Sequence, residues 1–249
     1  MVVYALGVQS YTFRKFKELQ TLADSVKAAG LGHIELYGGH LSPDAGAEKV
    51  HAGVGVLKRA GFVIDACGIF KLTADEAATR RIFELGKAAG VRAIGGDPDP
   101  EAVPLLDRLT EEYRIPVAVH NHGRKHRYGS PEQLEALFKG ASPRIGLCLD
   151  TAWLLDSGGD PVAAVGRFAR RLFGVHLKDF VFGADGSRKD VILGDGGLKL
   201  AGFFDTLRAV GFNGYLTIEY EGNADNPLPE LKACVARVRP FAEGRREEM

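Results

Sequence analysis

Phe173-Gly174-Val175-His176-Leu177-Lys178-Asp179-Phe180 starts as an apolar run and then sets an imidazole, an ammonium and a carboxylate within four residues. A strand buried on both faces is nearly all apolar. Polar groups gathered at one end mark that end as open to something polar, and their types point to a metal.

Working outward from this strand, the same unit recurs on both sides: a short apolar run, a loop, then a segment with helical spacing. The runs are Val3 to Val8, His33 to Leu36, Val63 to Ala66, Arg92 to Ile94, Pro116 to His120, Arg144 to Leu149, Phe173 to Leu177 and Tyr215 to Glu219. Helical spacing covers Leu19 to Ala29, Ala47 to Ala60, Ala74 to Ala89, Glu101 to Tyr113, Pro131 to Phe138, Pro161 to Arg171, Phe203 to Val210 and Leu228 to Phe241. Gly30, Gly61, Gly90 and Gly211 stand where a helix is expected to end, as glycine does just past a C-terminus. Eight such units without a break in composition predict an α/β fold, a single (β/α)8 TIM barrel spanning residues 1–249. A doubly wound open sheet is the alternative, but Val8-Gln9-Ser10-Tyr11-Thr12-Phe13 after the first strand lacks the glycines of a phosphate loop. The Gly-, Asp- and Lys-rich stretch from Val181 to Leu200 suits an active-site loop or lid.

Lys plus Arg and Asp plus Glu are each 32, so no global field draws the chain to nucleic acid or an anionic membrane. A small-molecule substrate is the expectation, with homo-oligomerisation left open. Cys67, Cys148 and Cys234 are far apart and odd in number, which argues against a disulfide frame or a zinc knuckle. Met1 to Val8 lacks the basic region and cleavage site of a signal peptide, and no apolar stretch reaches about 18 residues, so a cytoplasmic protein is expected.

In a barrel, the C-terminal ends of the strands form the reaction face. There the second strand offers Glu35, Tyr37 and His40, the fifth His120-Asn121-His122, the sixth Asp150, the seventh His176 and Lys178, and the eighth Glu219 and Glu221. Each has an ordinary reading. A lone His is commonly a hydrogen-bonded rim residue, Asp150 before Thr151 can cap a helix, and Glu219 and Glu221 can pair with surface cations. Four consecutive strands each delivering a ligand-type residue at one height favour a metal. Mixed imidazole and carboxylate donors suit a divalent ion such as Mn, Co, Zn or Fe, with Mg a further candidate. Residues at i and i+2 share a face, so the deeper of His120 and His122, of His176 and Lys178, and of Glu219 and Glu221 is read as ligand and the outer as substrate-facing.

The chain resembles the xylose isomerase-like TIM barrel superfamily, also described as the sugar phosphate isomerase/epimerase or endonuclease IV-like group. The resemblance rests on Gly7-Val8-Gln9-Ser10-Tyr11-Thr12-Phe13-Arg14, His120-Asn121-His122, Gly174-Val175-His176-Leu177-Lys178-Asp179 and Ile218-Glu219-Tyr220-Glu221-Gly222. It implies a metal held by residues of strands five to eight, which fall here on His120, Asp150, His176 and Glu219. His120 replaces the family's usual glutamate, as in the inosose dehydratase-like branch. Trp153 stands where tetrulose and ketohexose epimerases carry a histidine. A two-base epimerase is therefore disfavoured.

A divalent ion at a ketone and its neighbouring hydroxyl acidifies the intervening C–H by stabilising an enediolate, and a base within reach takes the proton. Glu219 or Glu221 is the candidate base, with Lys178 stabilising the oxyanion or returning a proton. Glu35, His122 and His40 are assigned to substrate hydroxyls, and Trp153 and Phe13 to an apolar wall. Arg124, Lys125, His126 and Arg127 after strand five read as a solvated loop, with anion binding the less favoured alternative. The expected activity is a metal-dependent isomerase or epimerase of a small sugar or keto-sugar. A lyase of the inosose or keto-glycoside type is the alternative, followed by a barrel without turnover. An endonuclease is disfavoured, because seven His and zero net charge do not supply a multi-zinc cluster in a basic groove.

Overall fold

The computed structural model describes residues 2–245, so residue 1 and residues 246–249 of the expected 1–249 domain lie outside the described residues. The barrel strands before the insertion are β1 (Leu6–Gln9), β2 (His33–Leu36), β3 (Val63–Leu72), β4 (Ala93–Pro98), β5 (Val117–His120), β6 (Ile145–Asp150) and β7 (Leu172–Leu177). The insertion forms β8 (Phe180–Phe182) and β9 (Arg188–Asp190), and β10 (Tyr215–Ile218) completes the ring. Among the described residues the closed parallel order is β1-β10-β7-β6-β5-β4-β3-β2, with β8 and β9 paired as a separate antiparallel hairpin. The chain is thus the expected (β/α)8 barrel.

The surrounding helices are α1 (Leu19–Ala28), α2 (Ala47–Arg59), α3 (Glu76–Ala89), α4 (Val103–Tyr113), α5 (Pro131–Lys139), α6 (Thr151–Asp156), α7 (Pro161–Arg167), α8 (Leu200–Ala209) and α9 (Leu228–Ala242). Their starts follow from local chemistry. Ser130 and Gln133 form a reciprocal capping box on α5, and Asp75, Asp150 and Asp160 accept amides of α3, α6 and α7. Gly90 ends α3 at φ 75°, a left-handed conformation that costs a side chain about 1–2 kcal/mol. No described helix is long and apolar enough to cross a membrane.

The main core lies between strands and helices, with Leu22, Ile34, Leu57, Phe83, Leu106 and Phe203 fully buried. A second core fills the barrel: Ala66, Ala93, Ala118 and Cys148 surround Tyr215. A Cβ on Gly174 would lie 2.1 Å from the Tyr215 ring, so glycine there makes room for the one large fully buried side chain of this layer, against which Phe173 also packs. The other members are small because Tyr215 occupies the volume. All three cysteines are buried and free. This layer is the floor on which the polar residues stand.

Candidate metal centre and active-site chamber

Parallel register brings the polar strand ends to one height. Asp150 of β6 is level with His176 of β7, and Thr217 of β10 is level with His176 from the other side. His120, Asp150, His176 and Glu219, all buried, each offer one ligand atom within 4.8 Å of the others. His120 Nε2 lies 3.1 Å from His176 Nδ1 and 3.5 Å from Asp150 Oδ2, and His176 Nδ1 lies 3.4 Å from Glu219 Oε2. Four donors at the usual 2.0–2.2 Å from a divalent ion stand about 3.4 Å apart in a tetrahedron. These three separations match that spacing, and the remaining pairs lie within 4.8 Å. Asp150 Oδ2 is buried without a hydrogen-bond partner, although its Oδ1 accepts from Trp153 N–H at 2.8 Å. The aspartate therefore does both things its sequence position allows: one oxygen caps α6 and the other faces the cluster.

A second layer fixes these groups. His176 Nε2 donates to Glu35 Oε2 at 2.7 Å, which directs Nδ1 into the cluster. Thr217 Oγ1 donates to the same carboxylate oxygen at 3.2 Å. Gly95 leaves room for Glu35, since a Cβ there would lie 2.8 Å from its Oε1. Asn121 brackets Asp150, donating to its carbonyl at 3.0 Å and accepting from its N–H at 2.8 Å.

The electrostatics are those of a site with carboxylates in excess. Burial pushes the Asp150 carboxyl up to about 6, against the pull of Lys178. Burial also opposes ionisation of Glu219, but Lys178 and His176 overcome it and hold this carboxyl below the usual range. Burial disfavours a charged His176, yet Cys148, Glu35 and Glu219 raise its pKa well above the ordinary value. A proton on His176 thus answers the negative surroundings, and a cation in the cluster would displace it. Burial and His176 keep His120 neutral, while burial and the neighbouring His120 bring His122 down to about 3.

A chamber of about 240 Å³ opens over the cluster, lined by Gln9, Tyr11, Tyr37, Ile69, His120, His122, Trp153, Glu219 and Glu221. Lys178 is only 2% exposed. Its Nζ donates to Glu221 Oε1 and lies 3.6 Å from Glu219 and 3.9 Å from Asp190. Lys178, read as substrate-facing, does not line this chamber, nor do three residues assigned to substrate. Glu35 is fully buried beneath it against His176. His40 has both ring nitrogens engaged, Nδ1 accepting from Ser10 Oγ at 3.0 Å and Nε2 donating to Phe13 O at 3.1 Å. Phe13 is fully buried edge-on against Phe16. His122 and Trp153 do line it, and His122 Nδ1 is buried without a partner.

The insertion after β7 is the β8–β9 hairpin and a loop tied by Asp179. That buried carboxylate accepts from the N–H groups of Phe180, Gly194, Gly196 and Leu198, each at 3.0 Å. The hairpin delivers Asp190, which accepts from Glu221 N–H at 3.2 Å.

The family model for xylose isomerase-like TIM barrels matches residues 101–238, more than half of the chain. The chain belongs to this family. A relative among curated proteins, the rhizopine catabolism protein MocC of Rhizobium meliloti, is 31% identical over 139 residues, covering 50% of this chain and 42% of that protein. The match thus spans less than half the relative's length. Among solved structures, 3-keto-D-glucoside 4-epimerase YcjR of E. coli is 15% identical with a TM-score of 0.72, covering 95% of this chain and 99% of that one. The probable 3-DHS dehydratase AsbF of Bacillus anthracis is 17% identical with a TM-score of 0.76, covering 93% and 97%. The IolI protein with a bound zinc atom is 15% identical with a TM-score of 0.76, covering 98% and 100%. At such identities these structures establish likeness of fold.

In this xylose isomerase-like barrel Gln9, Tyr11 and Ile69 join the chamber without a signal of their own in the strand-end pattern, and Tyr37, placed at the reaction face by that pattern, lines it too. Tyr37 follows Glu35 at i+2 and carried a signal. Asp190 carried none, because the hairpin that delivers it depends on pairing with β8.

Proposed function

We propose that this protein is a divalent-metal-dependent isomerase or epimerase of a small sugar or keto-sugar. The observation that carries the reading is a four-donor cluster of His120, Asp150, His176 and Glu219 at the base of a chamber lined by Glu221, whose carboxylate accepts a hydrogen bond from the buried Lys178 behind it. A divalent ion held by these four residues would polarise a substrate carbonyl and acidify the adjacent C–H. The chain's own groups then handle the proton. Glu221, on the chamber wall, accepts it, and Lys178, hydrogen-bonded to Glu221, stabilises the developing oxyanion. His122, neutral, and the Tyr11 and Tyr37 hydroxyls supply hydrogen bonds to substrate hydroxyls. Trp153 gives an apolar face.

Both carboxylates able to move protons, Glu219 and Glu221, come from the end of β10, whereas the facing wall carries His120 and His122. A single base side favours returning the proton to the face it left, which suits transfer between neighbouring carbons better than inversion. Loss of a β-hydroxyl from the same intermediate is the second reading, supported by His120-Asn121-His122 on β5.

The test has two stages. Elemental analysis after supplementation with manganese, cobalt or zinc should find one divalent ion per chain, and a wild-type protein that retains none defeats the metal reading. Incubation with ketoses, inososes and 3-keto-glucosides in deuterated water should then give mass-neutral conversion with deuterium at the carbon beside the carbonyl. Product lighter by one water would make the lyase reading the correct one.

A further inference from the structure

Outside the chamber lies a second cleft of about 570 Å³, lined by His122, Gly123, Arg124, Lys125, His126, Trp153, Asp156, Asp185, Gly186 and Arg188. His122 and Trp153 line both cavities, so the two are adjacent. We propose that this cleft is an anion subsite that holds a phosphate or carboxylate substituent of the substrate whose reacting end occupies the chamber. The proposal rests on the enzymatic reading above for the identity of that substrate, and on the cleft alone for the anion.

Three cations face the cleft, Arg124, Lys125 and Arg188, against two carboxylates, Asp156 and Asp185. Asp156 is spent holding the guanidiniums. Its side chain is 2% exposed, Oδ1 accepts from Arg124 Nη2 at 2.8 Å and lies 3.7 Å from Arg188 Nη1, and Oδ2 accepts from the Arg124 backbone N–H at 3.1 Å. Arg188 is also stacked, its guanidinium carbon 4.3 Å from the centre of the Trp153 ring. A surface arginine with no partner is mobile; here Arg124 is held by Asp156 through Nε and Nη2 and Arg188 by the Trp153 ring, and both residues line the cleft. Such forks match the paired oxygens of carboxylate and phosphate. Lys125 has no ion-pair partner among the described residues and adds a free ammonium at the same cleft. The loop that reads in sequence as solvated thus divides: Arg127 pairs with Asp99 at 2.7 Å, while Arg124 and Lys125 face the cavity.

The arrangement has a mechanical corollary. Arg188 and Asp190 are two residues apart on β9, so an anion drawn to Arg188 seats the same strand whose Asp190 accepts from the Glu221 N–H. The charged tail of a substrate would thereby fix the hairpin beside the proton-transferring pair.

Trp153 is the single tryptophan of the chain and reports on the cleft directly. The experiment titrates inorganic phosphate, acetate and, as ionic-strength control, potassium chloride into the protein, following Trp153 fluorescence. The expected result is a saturable change with phosphate, acetate or both, absent with chloride, and weakened about tenfold in Lys125→Ala and further in Lys125→Glu, as for loss of one charge-assisted contact. Saturation by phosphate alone assigns a phosphorylated substrate; saturation by acetate at comparable concentration assigns a carboxylate. A linear response identical to that of chloride, or a midpoint in Lys125→Glu within twofold of the wild type, overturns the subsite. The titration is repeated on chelator-treated protein, where the same midpoint is expected. The anion site therefore stands or falls independently of the metal and of turnover.

Discussion

The strand β2 takes part in two histidine–carboxylate pairs of the same length and different meaning. At its start, His33 Nδ1 meets Asp65 Oδ2 at 2.7 Å; two residues on, Glu35 Oε2 accepts from His176 Nε2 at 2.7 Å. The first pair is partly solvated, with the His33 side chain 29% exposed and Arg92 4.0 Å from Asp65. Water and a second cation can answer its charges, and every atom in it is accounted for by ordinary stability. The second pair is completely enclosed, and the other nitrogen of His176 faces His120 and Glu219. Burial raises the cost of every charge there, and groups that remain without partners, such as Asp150 Oδ2, leave donor atoms that could hold an additional ligand. A short contact between imidazole and carboxylate is therefore no signal by itself; the company of the histidine's second nitrogen distinguishes a strut from a site.

The comparison breaks most sharply at the histidines themselves. His176→Ala removes a donor and should abolish stoichiometric metal retention, with turnover falling roughly a thousandfold or more, the kinetic equivalent of losing several kcal/mol of Lewis-acid stabilisation. His33→Ala should leave metal content and turnover unchanged and lower unfolding stability by about 1 kcal/mol. Elemental analysis beside thermal denaturation of both variants reads the contrast, and loss of metal from His33→Ala would erase the distinction.

The carboxylates give a smaller effect with the same asymmetry. Glu35→Gln keeps the volume but weakens the acceptor that orients His176, so metal affinity should fall about 10–100-fold, as for other partners behind a ligand. Asp65→Asn should cost about 1–3 kcal/mol of stability without moving metal affinity. Competition with a chromogenic chelator measures the affinities; equal affinities for wild type and Glu35→Gln would return Glu35 to an ordinary buried acid.

The same pair shows what is legible in a sequence. The barrel is, because apolar runs and helical spacing are local and repeat eight times; β2 coincides with its apolar run, and the strand-end places of His176, Asp150 and Glu219 follow from the same pattern. Depth is not. Strand ends place Glu35, His40 and Phe13 at the reaction face, but whether each reaches the chamber depends on residues far along the chain. Glu35 turns to a histidine 141 positions away, into space left by Gly95. The extent of the short helix α6, whose start Asp150 marks, and the β8–β9 hairpin are not legible for a related reason. Six residues give too little periodicity for the one, and the other is defined by pairing across a turn.

An ion pair of intermediate burial sharpens the comparison at its weakest end. Asp156 is almost fully buried, like Glu35, but its partner Arg124 is 50% exposed, like His33. The hydrogen bond from Arg124 holds the Asp156 carboxyl below the ordinary value against the opposing effect of burial. A carboxyl whose folded pKa is depressed contributes stability in full above its unfolded value of about 3.9, and loses it as pH falls through the lower folded value. Asp156→Asn should therefore cost about 1 kcal/mol at neutral pH, because Arg124 is half solvated and the pair is screened. The difference from wild type should shrink as pH falls below about 4, where the unfolded chain's carboxyl takes up its proton first, and disappear below the lower folded value. Denaturant unfolding of the two proteins at pH 7 and pH 3 measures it. A difference that persists unchanged at the lower pH would mean that Asp156 acts through shape, holding Arg124 and Arg188 by packing instead of by charge.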